Sequence, residues 1–219
     1  MTRKSFILTA LAVTVAIFGA AAWYVSRPAP ITHNAPAAPK MAEALLRSYS
    51  PILGPEDAPV TIVEFFDPAC EACRAFYPIV KDIMAQYPDD VRVVIRYTPF
   101  HGPVSDTSIK LLEAARMQGK FEPVLNALMT YQNAWAAHGA PDLQKIGRIA
   151  AGAGLDLELA MQQIKSPDVI AVYNQDKADV ETVGVRQTPT FFVNGKPLDP
   201  FGEAELRRLV AAEMAAAGD

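Results

Sequence analysis

Cysteine is the scarcest reactive side chain here: Cys70 and Cys73 are the only two among 219 residues. Two thiols exclude a scaffold stapled by several disulfides and a four-thiolate zinc site. Histidine is almost as rare, and His33, His101 and His138 are too scattered to complete a zinc site around the pair. The seven methionines form no Met-rich cluster. There is no long basic run, and the net charge of −4 argues against non-specific nucleic-acid binding. Repeats and low-complexity tracts are also missing from Met41 to Asp219. What is plentiful is apolar surface: 51% of residues are hydrophobic and 20% charged, the composition of a folded chain with a sizeable core.

The apolar residues are unevenly spread. Phe6–Val25 (FILTALAVTVAIFGAAAWYV) contains no charge, with Arg3 and Lys4 before it and Arg27 after it. About 20 residues at ~1.5 Å rise span ~30 Å, the thickness of a bilayer core. Residues 1–26 read as a membrane anchor or a signal peptide. Ala20-Ala21-Ala22 suits cleavage, whereas the length of the run and Trp23-Tyr24 favour an uncleaved anchor. Both readings export the rest of the chain, and Arg3 and Lys4 keep the amino end cytoplasmic. The expected location is the bacterial periplasm or cell envelope, tethered to the inner membrane or released as a cleaved secretory form. Residues 27–40 (RPAPITHNAPAAPK) hold four prolines and read as a semi-rigid spacer.

Residues 41–219 amount to one domain. A short helical piece at Met41–Ser50 leads into a turn at Gly54-Pro55-Glu56-Asp57, then Pro59–Phe66 reads as a buried strand. Asp67-Pro68 breaks it, Cys70 to about Tyr87 has helical character, and Val91–Tyr97 is a second strand. A strand–helix–strand unit implies a parallel pair with a right-handed crossover. Apolar residues at helical spacing between about 105 and 183, punctuated by glycines and Pro167, predict four or five helices. Thr190–Val193, the Asn194-Gly195 turn and Lys196–Leu198 form a hairpin, and Gly202–Ala217 closes as a helix. The fold class is α/β, with an inserted helical subdomain.

Cys70-Glu71-Ala72-Cys73 sits where a strand ends and a helix begins. A helix amino terminus offers unpaired N–H groups and partial positive charge, which stabilise a thiolate on Cys70. Cys73, one turn on, is near enough to form a disulfide with it. The sequence here resembles the thioredoxin-fold thiol–disulfide oxidoreductases, in their exported DsbA-like branch. The resemblance covers about Leu53–Ala216 through two separated motifs, GPEDAPVTIVEFFDPACEACRAFYP and VRQTPTFFVNGKPL, with the helical insertion between them.

That resemblance implies a thioredoxin fold in which Cys70 is the attacking thiolate and Cys73 the more buried, resolving thiol. It implies that Pro189 is cis and packs against the disulfide, and that the Thr188 backbone pairs with an extended substrate. Glu64 matches a buried carboxylate that moves protons to and from the second cysteine; a Glu between Val63 and Phe65 is itself costly to bury. The bland reading points Glu64 to solvent by strand alternation. Pro78 matches a kink in the redox helix. No dissociable cofactor and no metal are expected, the redox group being the Cys70–Cys73 disulfide.

One departure stands out. Strongly oxidising relatives commonly carry Pro-His between the cysteines, whereas Ala72 cannot support the thiolate and Glu71 opposes it. That predicts a weaker oxidant. Arg74 could offset Glu71 or be merely solvated, and for His101, after Pro99-Phe100, a position bordering the site and one away from it both stay open. Oxidase, isomerase and reductase directions stay open; Met41–Ser50 is short for a dimerisation domain, which favours oxidase-like or general exchange activity. Expected partners are extended, cysteine-containing substrate proteins and a membrane thiol oxidase or reductase that recycles the pair. The rival from another class is a copper(I)-binding or metal-delivery module using the same two thiols.

Overall fold

A computed structural model describes residues Pro39–Gly218. The apolar run Phe6–Val25 and the spacer up to residue 38 lie outside the described residues. Helix α1 (Pro39–Leu45) starts at a proline, which the first turn of a helix tolerates because its N–H would be unpaired there anyway. It stops well short of the expected Ser50, and a turn closed by Ser50 N donating to Arg47 O at 3.0 Å follows.

Five strands form one sheet in the order β1-β3-β2-β4-β5. β2 (Val60–Phe66) and β3 (Val91–Tyr97) are parallel, paired Val60 to Val91 through Phe66 to Tyr97. β4 (Thr190–Val193) is antiparallel to β2 and forms the expected hairpin with β5 (Lys196–Pro197). β1 (Ile52–Leu53), antiparallel to β3, adds a strand that the sequence pattern does not mark, since two residues carry no readable period. Gly54 follows it with φ +92°, and a Cβ there would lie 2.8 Å from the Val91 carbonyl oxygen, so only glycine suits the turn.

All seven residues of β2 are buried, as expected of a central strand covered on both faces. Val63 and Phe65 pack with Leu45, Val94, Val180 and Val185 on one face. Ile62 and Phe66 face the larger cluster that holds Cys73, Val80 and Ile83 of helix α2 (Glu71–Gln86). Glu64 has their parity, so the pleat aims it beneath α2. Alternation does not deliver it to solvent, because neither face of this strand has any.

Six helices, rather than four or five, lie between β3 and β4: α3 (Pro103–Met117), α4 (Phe121–Thr130), α5 (Gln132–Trp135), α6 (Leu143–Gly152), α7 (Leu157–Gln163) and α8 (Pro167–Val183). Capping explains several of their starts. Asp142 accepts from the Gln144 and Lys145 amides, Asp156 from Leu159, and Ser166 from Val169, with Pro167 in the first turn of α8. The fold is the expected α/β arrangement with a helical insertion, closed by α9 (Glu203–Ala217).

Candidate active site around Cys70 and Cys73

The chain leaves β2 through a turn made by Asp67. Its carboxylate accepts from the Ala69 amide at 2.9 Å, and its carbonyl accepts from the Cys70 amide at 3.0 Å. This turn puts Cys70 at the N-cap of α2 with extended backbone (φ −78°, ψ 124°), and no side-chain oxygen or nitrogen caps the helix. The amides there stay available to the sulfur. Cys73, two residues inside α2, is wholly buried.

Both cysteines are free thiols, and their environments differ sharply. Cys70 is held down to a pKa of about 5, foremost by a hydrogen bond from Cys73; burial opposes this, while the Thr188 side chain and the Cys73 and Ala72 amides reinforce it. Cys73 is pushed well above the usual thiol value by burial, by its bond to Cys70 and by the Glu64 charge. The first sulfur is thus a thiolate at neutral pH and the second a thiol. Helix-end amides and the second cysteine supply the stabilisation that the side chains of Glu71 and Ala72 withhold.

The other expected residues converge on the same place. The Thr188–Pro189 peptide is cis and precedes β4 directly. Cys70 Sγ lies 3.2 Å from the Thr188 carbonyl oxygen, which accepts from it when the thiol is protonated, across 118 residues of sequence. Glu64 is buried, and its Oε1 has no hydrogen-bond partner. Burial, then the charge of Cys70, pushes its carboxyl up to about 8. Pro78 lies inside α2. Arg74 neither floats free nor pairs with Glu71: its Nε donates to Gln132 Oε1 at 3.2 Å.

Residues that went unassigned in the sequence complete the site. Gln132, buried at the start of α5, donates through Nε2 to the Pro68 carbonyl at 2.7 Å and the Cys70 carbonyl at 2.9 Å. The helical insertion therefore holds the loop that presents the nucleophile. Asp67, wholly buried, also accepts at Oδ2 from the Phe100 amide and Ser105 Oγ, both at 2.8 Å, and sits 2.7 Å from His101 Nδ1. In the sequence Asp67-Pro68 signals only a strand break, and nothing local ties it to His101. Among the described residues no group of three or more His, Cys, Asp or Glu could hold a metal ion.

The chain matches a family model described as "Thioredoxin" over residues 47–212. Among solved structures it is similar to a thioredoxin-like oxidoreductase from Silicibacter pomeroyi DSS-3, at TM-score 0.68 and 30% identity over 80% of this chain and 96% of that one. BdbD from Bacillus subtilis shares the fold at TM-score 0.65 and 23% identity, over 76% of this chain and 93% of that one. A variant of α-DsbA1 from Wolbachia pipientis does so at TM-score 0.70 and 17% identity, over 81% and 97%. A curated relative, the Na(+)/H(+) antiporter NhaA of Herminiimonas arsenicoxydans, is 37% identical over 147 residues, 67% of this chain but 22% of that protein. The chain spans about a quarter of the length of such relatives. Among the described residues no helix is long and apolar enough to cross a membrane.

Proposed function

Because the chain belongs to the thioredoxin family, with the helical insertion of its DsbA-like members, we propose that it is a protein thiol–disulfide oxidoreductase working through Cys70 and Cys73. One observation carries this reading. A thiolate-favouring Cys70 caps a helix within 3.2 Å of the Thr188 carbonyl, beside a Cys73 held as a buried thiol. That is the asymmetry an exchange reaction needs.

In the reductive direction the Cys70 thiolate attacks a substrate disulfide, one sulfur–sulfur bond forming as the substrate's breaks and its first thiolate leaves. Cys73 then gives its proton to the Glu64 carboxylate and attacks the Cys70 sulfur, closing the Cys70–Cys73 disulfide and expelling the second substrate thiolate. The substrate is reduced by two electrons and the protein is oxidised. The same steps in reverse oxidise a substrate dithiol. Burial, and after it the Cys70 charge, holds the Glu64 proton on in the reduced protein; that charge is gone once Cys70 is tied in a mixed disulfide, so Glu64 then releases its proton to solvent more readily and its carboxylate can take the one from Cys73. Thr188, beside Cys70, offers backbone for pairing with an extended, cysteine-containing segment of the substrate.

The Phe6–Val25 segment supports export to the periplasm or cell envelope, cleaved or retained as an inner-membrane anchor, where disulfides persist. There a membrane thiol oxidase or reductase would restore the pair. Insulin reduction and refolding of reduced ribonuclease test the activity and its direction. Cys70→Ser is expected to abolish both. If neither depends on Cys70 and the protein instead binds stoichiometric copper(I), the two thiols form a metal site and the redox reading falls.

A further inference from the structure

Between the cysteines, Ala72 has no polar group and Glu71 is an acid, so the motif offers the Cys70 thiolate no cation. The fold brings a cation-forming side chain to the same place from elsewhere. His101 and Cys70 line one pocket of about 380 Å³, together with Glu71, Ala72 and His138. The imidazole is not loosely placed. Its Nδ1 lies 2.7 Å from Oδ2 of the wholly buried Asp67, and its own amide donates to Ser105 Oγ at 3.1 Å. A carboxylate only accepts, so Nδ1 carries a proton, and Nε2 is the nitrogen left to the pocket. The same Asp67 builds the turn that delivers Cys70 to the helix end. One buried carboxylate thus fixes both the nucleophile's loop and the imidazole beside it.

We propose that His101, oriented by Asp67, is a positioning residue that supplies the positive charge favouring the Cys70 thiolate, replacing from outside the motif the cation the motif lacks. The inference rests on the redox reading of Cys70. Its charged form is favoured: the Asp67 hydrogen bond raises the His101 pKa, partial burial opposes this, and the charges of Asp67, Cys70 and Glu71 add to the rise. The titratable groups facing the ring are Asp67, Cys70, Glu71 and His138. Support for the thiolate is present while the imidazole is charged and fades as pH rises through its folded pKa.

The test is a pH titration of the thiolate's ultraviolet absorbance in the reduced full chain, with circular dichroism confirming that each variant is folded. Cys73 titrates far above Cys70 and does not obscure the signal. His101→Gln is expected to raise the Cys70 pKa by about one unit, a roughly tenfold loss in thiolate-to-thiol ratio. The glutathione equilibrium should shift about tenfold towards the disulfide, or ~30 mV. His101→Lys, which restores a charge, should return the pKa close to the wild-type value. An unchanged pKa in His101→Gln overturns the proposal; so does an equal rise in both variants, because ring contacts and not charge would then be responsible. The titration needs no substrate, so failure of the insulin assay and failure of this inference are separate results.

Discussion

Glu64 is the residue whose behaviour depends most on its surroundings. Its carboxyl is buried under α2, lacks a partner at Oε1 and holds its proton up to about 8, first through burial and then through the Cys70 charge. A carboxyl that binds its proton more tightly folded than unfolded makes stability fall as pH rises from about 4.5 towards 8. Glu64→Gln should therefore raise the melting temperature at pH 8, by an amount equivalent to a few kcal/mol. The gain should vanish near pH 4, where both states are protonated, and thermal melts across that range check it. The same variant should slow resolution of a mixed disulfide by about 100-fold or more, because in the proposed mechanism Cys73 loses its proton acceptor. Stopped-flow release of the second substrate thiol measures this. Glu64 was legible in the sequence because an acid inside PVTIVEFF has a burial cost that demands a reason. Asp67 and His101 were not, since their contact joins a turn to a loop 34 residues on, and each alone looks like ordinary punctuation.

Among the elements, one-turn α5 matters out of proportion to its length. Trp135 anchors it by donating Nε1 to the Leu128 carbonyl at 2.9 Å, and Gln132 at its other end holds the Pro68 and Cys70 carbonyls. Gln132→Ala takes its donor from the buried Pro68 carbonyl, while the Cys70 carbonyl keeps its bond from the Arg74 amide at 3.1 Å. It should destabilise the protein by about 1–3 kcal/mol in urea unfolding and loosen the 67–70 turn, seen as faster amide exchange at Ala69 and Cys70. The strands β2, β3 and β4 were legible to within a residue because each is an apolar, β-branched run. A four-residue helix and a two-residue strand fall below any period, which is why α5 and β1 went unread. The capping side chains of α6, α7 and α8 were present in the sequence, but only the fold shows which candidate caps are used.

Across the whole molecule, the sheet and the insertion divide the work. The sheet carries Glu64 and the cis-Pro189 loop, while the insertion grips the nucleophile's turn through Gln132 and its Arg74 contact. A second anchorage ties the start of the domain to α8. Arg96, fully buried on β3, pairs with Asp176 at 2.7 Å and Asp179 at 2.6 Å, and Arg47 also reaches Asp179 at 2.7 Å. Two cations meet two anions there, so no buried charge is left uncompensated. The order of elements and the site's two cysteines could be read from the chain, because both are encoded locally or in sequence order. The partners that tune the site could not, being set by tertiary contacts. The most direct check on exchange through Cys70 uses Cys73→Ser, which keeps the nucleophile and removes the thiol that resolves it. Incubated with a disulfide-bonded peptide, this variant should accumulate a mixed disulfide that mass spectrometry maps to Cys70, while the wild type releases reduced peptide. Absence of any adduct at Cys70, with the variant folded, would contradict it.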